Sequence, residues 1–151
     1  AVMAADRLLE TAKAQADAQV SERNAREKAE LMRQLGMDEG ESATKASRTM
    51  IRQLEEDQKR RSKRALTDAI DRALIDLLAI YRDVLMVQVG GDGELINTDL
   101  SDLVHQIAQD STPRQTLARV DHIETARKRL VSNGNPLLVL EDMAISLRPQ
   151  A

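Results

Sequence analysis

Residues 66–89 read LTDAIDRALIDLLAIYRDVLMVQV, and their apolar side chains recur at three- and four-residue spacing. Because an α-helix brings such positions to one face, the segment predicts an amphipathic helix with a buried stripe. Three apolar residues outside the stripe, Ile75, Leu78 and Met86, predict that this helix is contacted on two sides. The stripe itself consists of Leu66, Ile70, Ala73, Leu74, Leu77, Tyr81, Val84 and Leu85.

The composition extends this helical prediction to the whole chain. Of the 151 residues, 42% are apolar, yet Tyr81 is the one aromatic residue, so a core must be built from aliphatic side chains. Six Gly and three Pro supply few of the turns that a many-stranded sheet requires. We therefore predict an all-α fold, a helical bundle of about five to six helices with long first and second helices.

Two long helices account for the first part of the sequence. The first is predicted from about Ala4 to Leu35, with a thin apolar stripe and little but Ala to bury in its second half. Residues 36–46 are predicted as a polar loop, and the second helix is predicted to begin near Ser47 and to end at Val89. The thin stripe consists of Leu9, Ala12, Ala16 and Val20.

The later helices are marked by capping residues. Thr98 or Asp99 can cap one helix, and Ser111 or Thr112 can cap the next, which has Pro113 at its first position. The apolar residues of the two helices are Leu100, Leu103, Val104 and Ile107, then Leu117, Val120, Ile123, Ala126 and Leu130.

Before the last helix, a signal that ends one helix is followed directly by a signal that begins the next. Gly134 can take a positive φ to end one helix, and Asn135-Pro136 can begin the next. That last helix is apolar on nearly every side, and Leu138 and Ile145 form a second stripe. It is predicted either to lie at the centre of the core or to contact another chain as well.

A basic run, Lys59-Arg60-Arg61-Ser62-Lys63-Arg64, is the most prominent charge feature. Acidic residues 55–57 precede it and predict ion pairs at i,i+4, as on a solvated helix face. Nucleic-acid binding by residues 59–64 is the alternative, but the chain has no Phe or Trp for base stacking and a net charge of -3.

Catalytic and metal-binding patterns are weak. Asp102 and His105 have an i,i+3 spacing that helical metal sites use twice, but His122 has no such partner. Carboxylates at 68, 71, 76 and 83 are predicted on the polar side of the second helix, and no phosphate-binding loop is present. We expect no enzyme activity, cofactor or metal in this fragment.

The sequence also bears on the setting of the protein. It has no Cys and no stretch near the ~20 apolar residues that span a bilayer, so we expect a cytoplasmic protein without a membrane segment. It begins at Ala1 rather than Met, which we interpret as a piece excised from a larger protein.

Several motifs between about residues 50 and 148 resemble a known family. The most specific are Tyr81-Arg82-Asp83, the run from Ile123-Glu124 through Arg127 to Asn133, Asn135-Pro136, and Leu140-Glu141. In order and spacing they resemble the C-terminal collar domain of the bacterial DNA polymerase III clamp loader, of the delta prime type. This resemblance implies a helical domain that packs with the collars of gamma/tau and delta subunits, with the ATP-binding elements in a separate AAA+ part.

The resemblance and the excess apolar surface lead to one interface prediction. Residues 1–46 are interpreted as a helix and polar loop, and residues 47–151 as the collar, or oligomerisation, domain. A generic helical scaffold remains a further alternative, although strict heptads are not sustained. The candidate interface residues are Ile75, Leu78, Met86, Leu138 and Ile145.

Overall fold

The computed structural model describes residues 1–36 and 44–149. Within these ranges the chain forms five α-helices and one short 3₁₀ helix, with no strand. The all-α prediction with two long leading helices is therefore confirmed. The elements are α1 (Val2–Gln34), α2 (Lys45–Gln88), the 3₁₀ helix (Thr98–Leu100), α3 (Ser101–Gln109), α4 (Pro113–Val131) and α5 (Pro136–Ser146).

The start of α2 differs slightly from its prediction. The helix begins at Lys45 rather than near Ser47, because Thr44 already acts as its cap: its Oγ1 accepts a hydrogen bond from the backbone N–H of Ser47. Most of the predicted loop, residues 37–43, lies outside the described residues.

Two compact units make up the chain. One, here the terminal unit, combines Ala1–Glu10 with Ile70–Ala151, and the other, the hairpin unit, is Thr11–Ala69. The predicted boundary between residues 46 and 47 divides the chain on a different basis, by sequence character and resemblance, and stays a prediction.

The hairpin unit pairs two helical segments in antiparallel order. Ala16, Val20 and Ala65 form a small buried cluster. Further along, Gln58 donates a hydrogen bond to the carbonyl of Asn24 at 2.8 Å. Later residues of α1 therefore contact earlier residues of α2, as expected for antiparallel segments. No residue in 21–34 is buried, as expected from the lack of large apolar side chains there.

The terminal unit has the larger core, to which five helices contribute, α1 through Ala5 and Leu9. Leu74 of α2, Val104 of α3, Ile123 of α4 and Leu140 of α5 are all completely buried. Burying an aliphatic side chain of this size contributes about 1.5–3 kcal/mol. The predicted stripe of residues 66–89 supplies much of this core, with Ile70 and Val84 also completely buried.

The inner face of α4 differs from its prediction. Leu117, predicted to be buried, is 51% exposed, whereas Thr116 is completely buried. The reason is a polar contact: the Thr116 hydroxyl donates to Oε1 of Gln88 at 2.9 Å, so the polar residue is satisfied inside. The Gln88 amide in turn donates to the carbonyl of Ser111 at 2.8 Å and ties the end of α2 to the start of α4.

Two helix starts follow their sequence signals. Thr112 caps α4 in a reciprocal capping box with Gln115, and Pro113 occupies the first turn. Asn135 caps α5 by accepting from the backbone N–H of Leu138 at 3.2 Å. These signals are local in sequence, which is why they could be read correctly.

The end of α4 corrects the assignment of its left-handed residue. Asn133 has φ 63, and Gly134 is not the residue with positive φ. The Gly134 N–H donates to the carbonyl of Arg129 at 2.8 Å, which closes the helix. A Cβ on Gly134 would lie 2.7 Å from that carbonyl oxygen, so the glycine is required by this close approach.

Asp83 is the largest departure from the sequence prediction within α2. Its side chain is completely buried, not on the polar side of the helix. It accepts hydrogen bonds from the backbone N–H groups of Ile96 and Asn97 at 3.0 and 2.8 Å, and from the Asn97 amide and the Arg82 guanidinium. Burial raises the pKa of Asp83, but these hydrogen bonds outweigh it and lower the pKa to about 2.

The same contacts replace the predicted cap at Thr98 or Asp99. The 3₁₀ helix has no side-chain cap, and neither does α3, whose first flanking residue is Leu100. Because Asp83 already holds the backbone just before Thr98, the segment that leads into α3 is fixed from α2 instead.

Candidate subunit interface

The last helix exposes one of its apolar faces. Leu138 and Ile145 are 63% and 52% exposed, and their seven-residue spacing places them on one face of α5. Val139, Leu140 and Met143 are buried on the opposite face. The α5 helix thus packs on one side only and leaves two large aliphatic side chains in solvent.

The candidate residues of α2 have different surroundings. Ile75 is 45% exposed, whereas Leu78 and Met86 are half-buried. The Cε atom of Met86 lies 2.6 Å from where a Cβ on Gly91 or Gly93 would be, so the loop after α2 packs against Met86. Ile75 and Met86, eleven residues apart, share one face of α2.

Several exposed apolar residues were not among the predicted interface residues. Leu117 of α4 was predicted to face inward, and Val131 at the end of α4 was not singled out, yet it is 76% exposed. The burial of Thr116 in place of Leu117 depends on the distant Gln88, so no local signal pointed to this exposed surface.

Ion pairs fix the helices that carry the exposed residues. Arg127 of α4 donates to both carboxylate oxygens of Asp71 at 2.7 and 3.2 Å, and to Glu124 at 3.2 Å. The hydrogen bond to Asp71 is the main reason that the pKa of Arg127 is raised. Arg129 pairs with Asp142 and ties α4 to α5. The bidentate contact of Arg127 with Asp71 adds geometric specificity.

The basic run 59–64 is partly paired, although not with the predicted partners. Arg60 pairs with Asp57 at i,i+3. Arg61 donates to Glu27 and to the Asn24 side chain, both at 2.8 Å, across the hairpin unit. The predicted i,i+4 pairs were wrong here: Arg61 pairs with Glu27 and Glu55 pairs with Lys28, both across the hairpin unit. The hydrogen bond from Arg61 also lowers the pKa of Glu27.

This pairing leads to a prediction about nucleic acid. We expect binding of duplex DNA to be weaker than micromolar at near-physiological salt, because the run is partly neutralised and the chain is net negative. Fluorescence anisotropy with a labelled duplex measures it. Sub-micromolar binding that disappears when Arg60, Arg61 and Arg64 are all replaced with Ala would contradict the prediction.

Metal-binding and membrane-spanning features are absent from residues 1–36 and 44–149. Within these ranges there is no group of three or more side chains suited to hold a metal ion. His105 instead contacts the backbone carbonyl of Ser101 through Nδ1 at 2.8 Å. None of the helices described is both long and apolar enough to cross a membrane.

Comparison with known proteins places this helical chain in a sequence family. The sequence model of the family described as DNA polymerase III, delta subunit, C terminal, matches residues 27–148. The DNA polymerase III subunit delta' of Bacillus subtilis (strain 168) is 38% identical over 72 residues, 48% of this chain and 22% of that protein. The matched region thus spans about a fifth of that relative's length. No solved structure gives a significant match.

Proposed function

Since the chain belongs to the family formed by the C-terminal domains of DNA polymerase III delta subunits, we propose that it is the collar domain of a clamp-loader protein of the delta prime type. In that role it binds the collar domains of gamma/tau and delta subunits and holds together the assembly that loads the sliding clamp during DNA replication. The similarity to subunit delta' of Bacillus subtilis supports the delta prime assignment. The role is one of assembly in the bacterial cytoplasm, without catalysis by this domain.

The exposed face of α5 is the observation that carries the proposal. Leu138 and Ile145 lie opposite the buried face, so they contribute little to the internal core. Aliphatic groups left in solvent on a rigid helix gain free energy when a partner covers them, at about 25 cal/mol per Å². Ile75, Leu78 and Met86 on α2 are proposed as further contacts, with Met86 already partly covered by its own loop.

The experiment places a charge on the proposed face. Leu138→Asp and Ile145→Asp are expected to weaken co-purification with the gamma/tau and delta collars, with a loss of affinity of at least about thirtyfold for a central contact. The far-ultraviolet circular dichroism and the melting temperature should stay close to those of the original chain, because both side chains are exposed.

Leu117→Asp is the matched control. Leu117 is an exposed leucine of α4, 51% exposed, outside the proposed contact set. If Leu117→Asp weakened assembly as much as Leu138→Asp, or if no α5 substitution affected it, the interface assignment would be wrong.

A further inference from the structure

Arg119 of α4 is a mostly buried residue whose cation has no carboxylate partner among the described residues. Arg119 is 8% exposed as a whole residue, and its guanidinium carbon is 6.0 Å from the centre of the Tyr81 ring. Throughout the described ranges, this ring contact is the one polar interaction found for the guanidinium. Burial raises the pKa of Tyr81, and the positive charge of Arg119 offsets part of that rise.

The other arginines that join helices of the terminal unit are paired. Arg127 has Asp71, and Arg129 has Asp142. Removing a guanidinium from water is costly unless a counter-charge is present, and a cation–π contact returns only about 0.5–2 kcal/mol. As a whole residue, Arg119 is more buried than either. Its guanidinium nitrogens nevertheless reach solvent, because every fully buried side-chain nitrogen among the described residues has a hydrogen-bond partner. The cation is therefore open to a ligand that enters from solvent.

A small cavity lies beside Arg119, between α4 and the end of α5. It has a volume of about 80 Å³, and Arg148 and His122 line it together with Arg119. The remaining described lining residues, Gln115, Ala118 and Ser146, are neutral, so none of the described residues that line this space is acidic. On the other side of Arg119, Asp110 lines a neighbouring cavity but is not within ion-pair distance of the guanidinium.

The size of the cavity limits what can enter it. By this measure one water needs about 10–15 Å³, so the space admits a carboxylate group together with several waters. Pockets that enclose whole small-molecule ligands are several times larger. The charge and the volume together select a small anionic group rather than an apolar ligand or a nucleotide base.

We propose that Arg119 and Arg148, with His122 at the rim, bind the carboxylate of an acidic side chain from a partner protein. The guanidinium fork suits a carboxylate, to which it can donate two parallel hydrogen bonds. The site adjoins the proposed contact face, since Ser146 of its lining directly follows Ile145. The partner's identity as a neighbouring collar rests on the proposed function, whereas recognition of the carboxylate does not.

Titration with glutarate, which carries the carboxylate of a glutamate side chain, tests the site directly. With the isotope-labelled chain, the Nε resonances of Arg119 and Arg148 should shift saturably in nuclear magnetic resonance spectra. Arg148→Gln should weaken glutarate binding by about tenfold, as expected for the loss of a charge-assisted hydrogen bond. Arg114→Gln, an exposed arginine of α4 outside the cavity lining, should have no such effect.

Arg119→Met separates recognition from a purely structural role. The change removes the charge but keeps an apolar stem, so it should abolish glutarate binding while the melting temperature stays unchanged or rises. A large fall in melting temperature would instead mark Arg119 as structural. Absence of saturable shifts, or glutarate binding unaffected by Arg148→Gln, would overturn the proposal. Saturable binding of inorganic phosphate without binding of glutarate would also overturn it.

A co-purification experiment tests whether the carboxylate comes from a partner protein. Arg119→Met should weaken co-purification with the gamma/tau and delta collars even though Leu138 and Ile145 are intact. If the original chain bound glutarate but Arg119→Met assembled normally, the partner assignment would be refuted. If the chain did not assemble with any collar, the proposed function would fail, while the glutarate titration would still decide whether the site exists.

Discussion

Replacing Asp83 with asparagine is expected to lower the free energy of unfolding by about 2–4 kcal/mol at neutral pH. The carboxylate accepts at both oxygens, from Ile96 and Arg82 at one and from two groups of Asn97 at the other. An amide offers one oxygen and one NH₂ group. In either orientation, the NH₂ group faces donors, so buried donors lose their acceptor.

The same substitution should change the dependence of stability on acid. The pKa of Asp83 is about 2 in the folded chain, below its ordinary value of 3.8. Because the folded pKa is depressed, its contribution to stability is complete above the unfolded pKa and is lost as the pH falls through the folded one. Between pH about 4 and about 2, the original chain should therefore lose about 2 kcal/mol that the asparagine variant never had.

Asp76→Asn is the matched control, because Asp76 is an exposed aspartate of the same helix. Urea unfolding followed by tyrosine fluorescence reports on the correct unit, since Tyr81 is the one aromatic residue and lies near Asp83. Equal midpoints for the two variants at neutral pH would show that the buried carboxylate does not hold the segment before α3.

The predictions that succeeded depend on signals that lie close together in sequence. The stripe of residues 66–89 identified Ile70, Leu74 and Val84 as core because helical periodicity is a local property. Thr112 and Asn135 were recognised as caps because each bonds a backbone N–H only three residues away. Such patterns do not depend on contacts with distant parts of the chain.

The predictions that failed depend on partners that are distant in sequence. Asp83 looked like a surface carboxylate because its partners, Ile96 and Asn97, are thirteen and fourteen residues away. Thr116 displaced Leu117 from the inner face of α4 through a hydrogen bond to Gln88, twenty-eight residues away. A helical wheel considers only local spacing and polarity. It therefore assigns a polar residue to the surface even when a distant partner satisfies that residue inside.

The exposed face of α5 could be predicted from the sequence, whereas its role as an interface stays a prediction. The second stripe of α5 predicted that Leu138 and Ile145 exceed what one core can cover, and both are indeed exposed. The cavity at Arg119 was not accessible, because its lining combines side chains of α4 with Ser146 and Arg148 near the end of the chain. Neither segment shows a binding motif when it is considered alone.

Replacing Leu140 with alanine is expected to have the other large effect, a loss of about 2–5 kcal/mol of folding stability. Leu140 is completely buried, and its isobutyl group is surrounded by the core of the terminal unit. Removing most of that group leaves a cavity that the surrounding helices, held by ion pairs such as Arg127 with Asp71, can fill only in part. The urea midpoint should fall while the slope of the transition stays the same.

Leu138→Ala provides the comparison within the same helix. Leu138 is 63% exposed, so truncating it removes few internal contacts and should change stability by less than about 1 kcal/mol. Both substitutions make the same chemical change two positions apart, so helix propensity affects them equally. If the two variants lost similar stability, α5 would not be a helix with one buried and one free apolar face. The proposal that Leu138 is kept for a partner would then lose its structural basis.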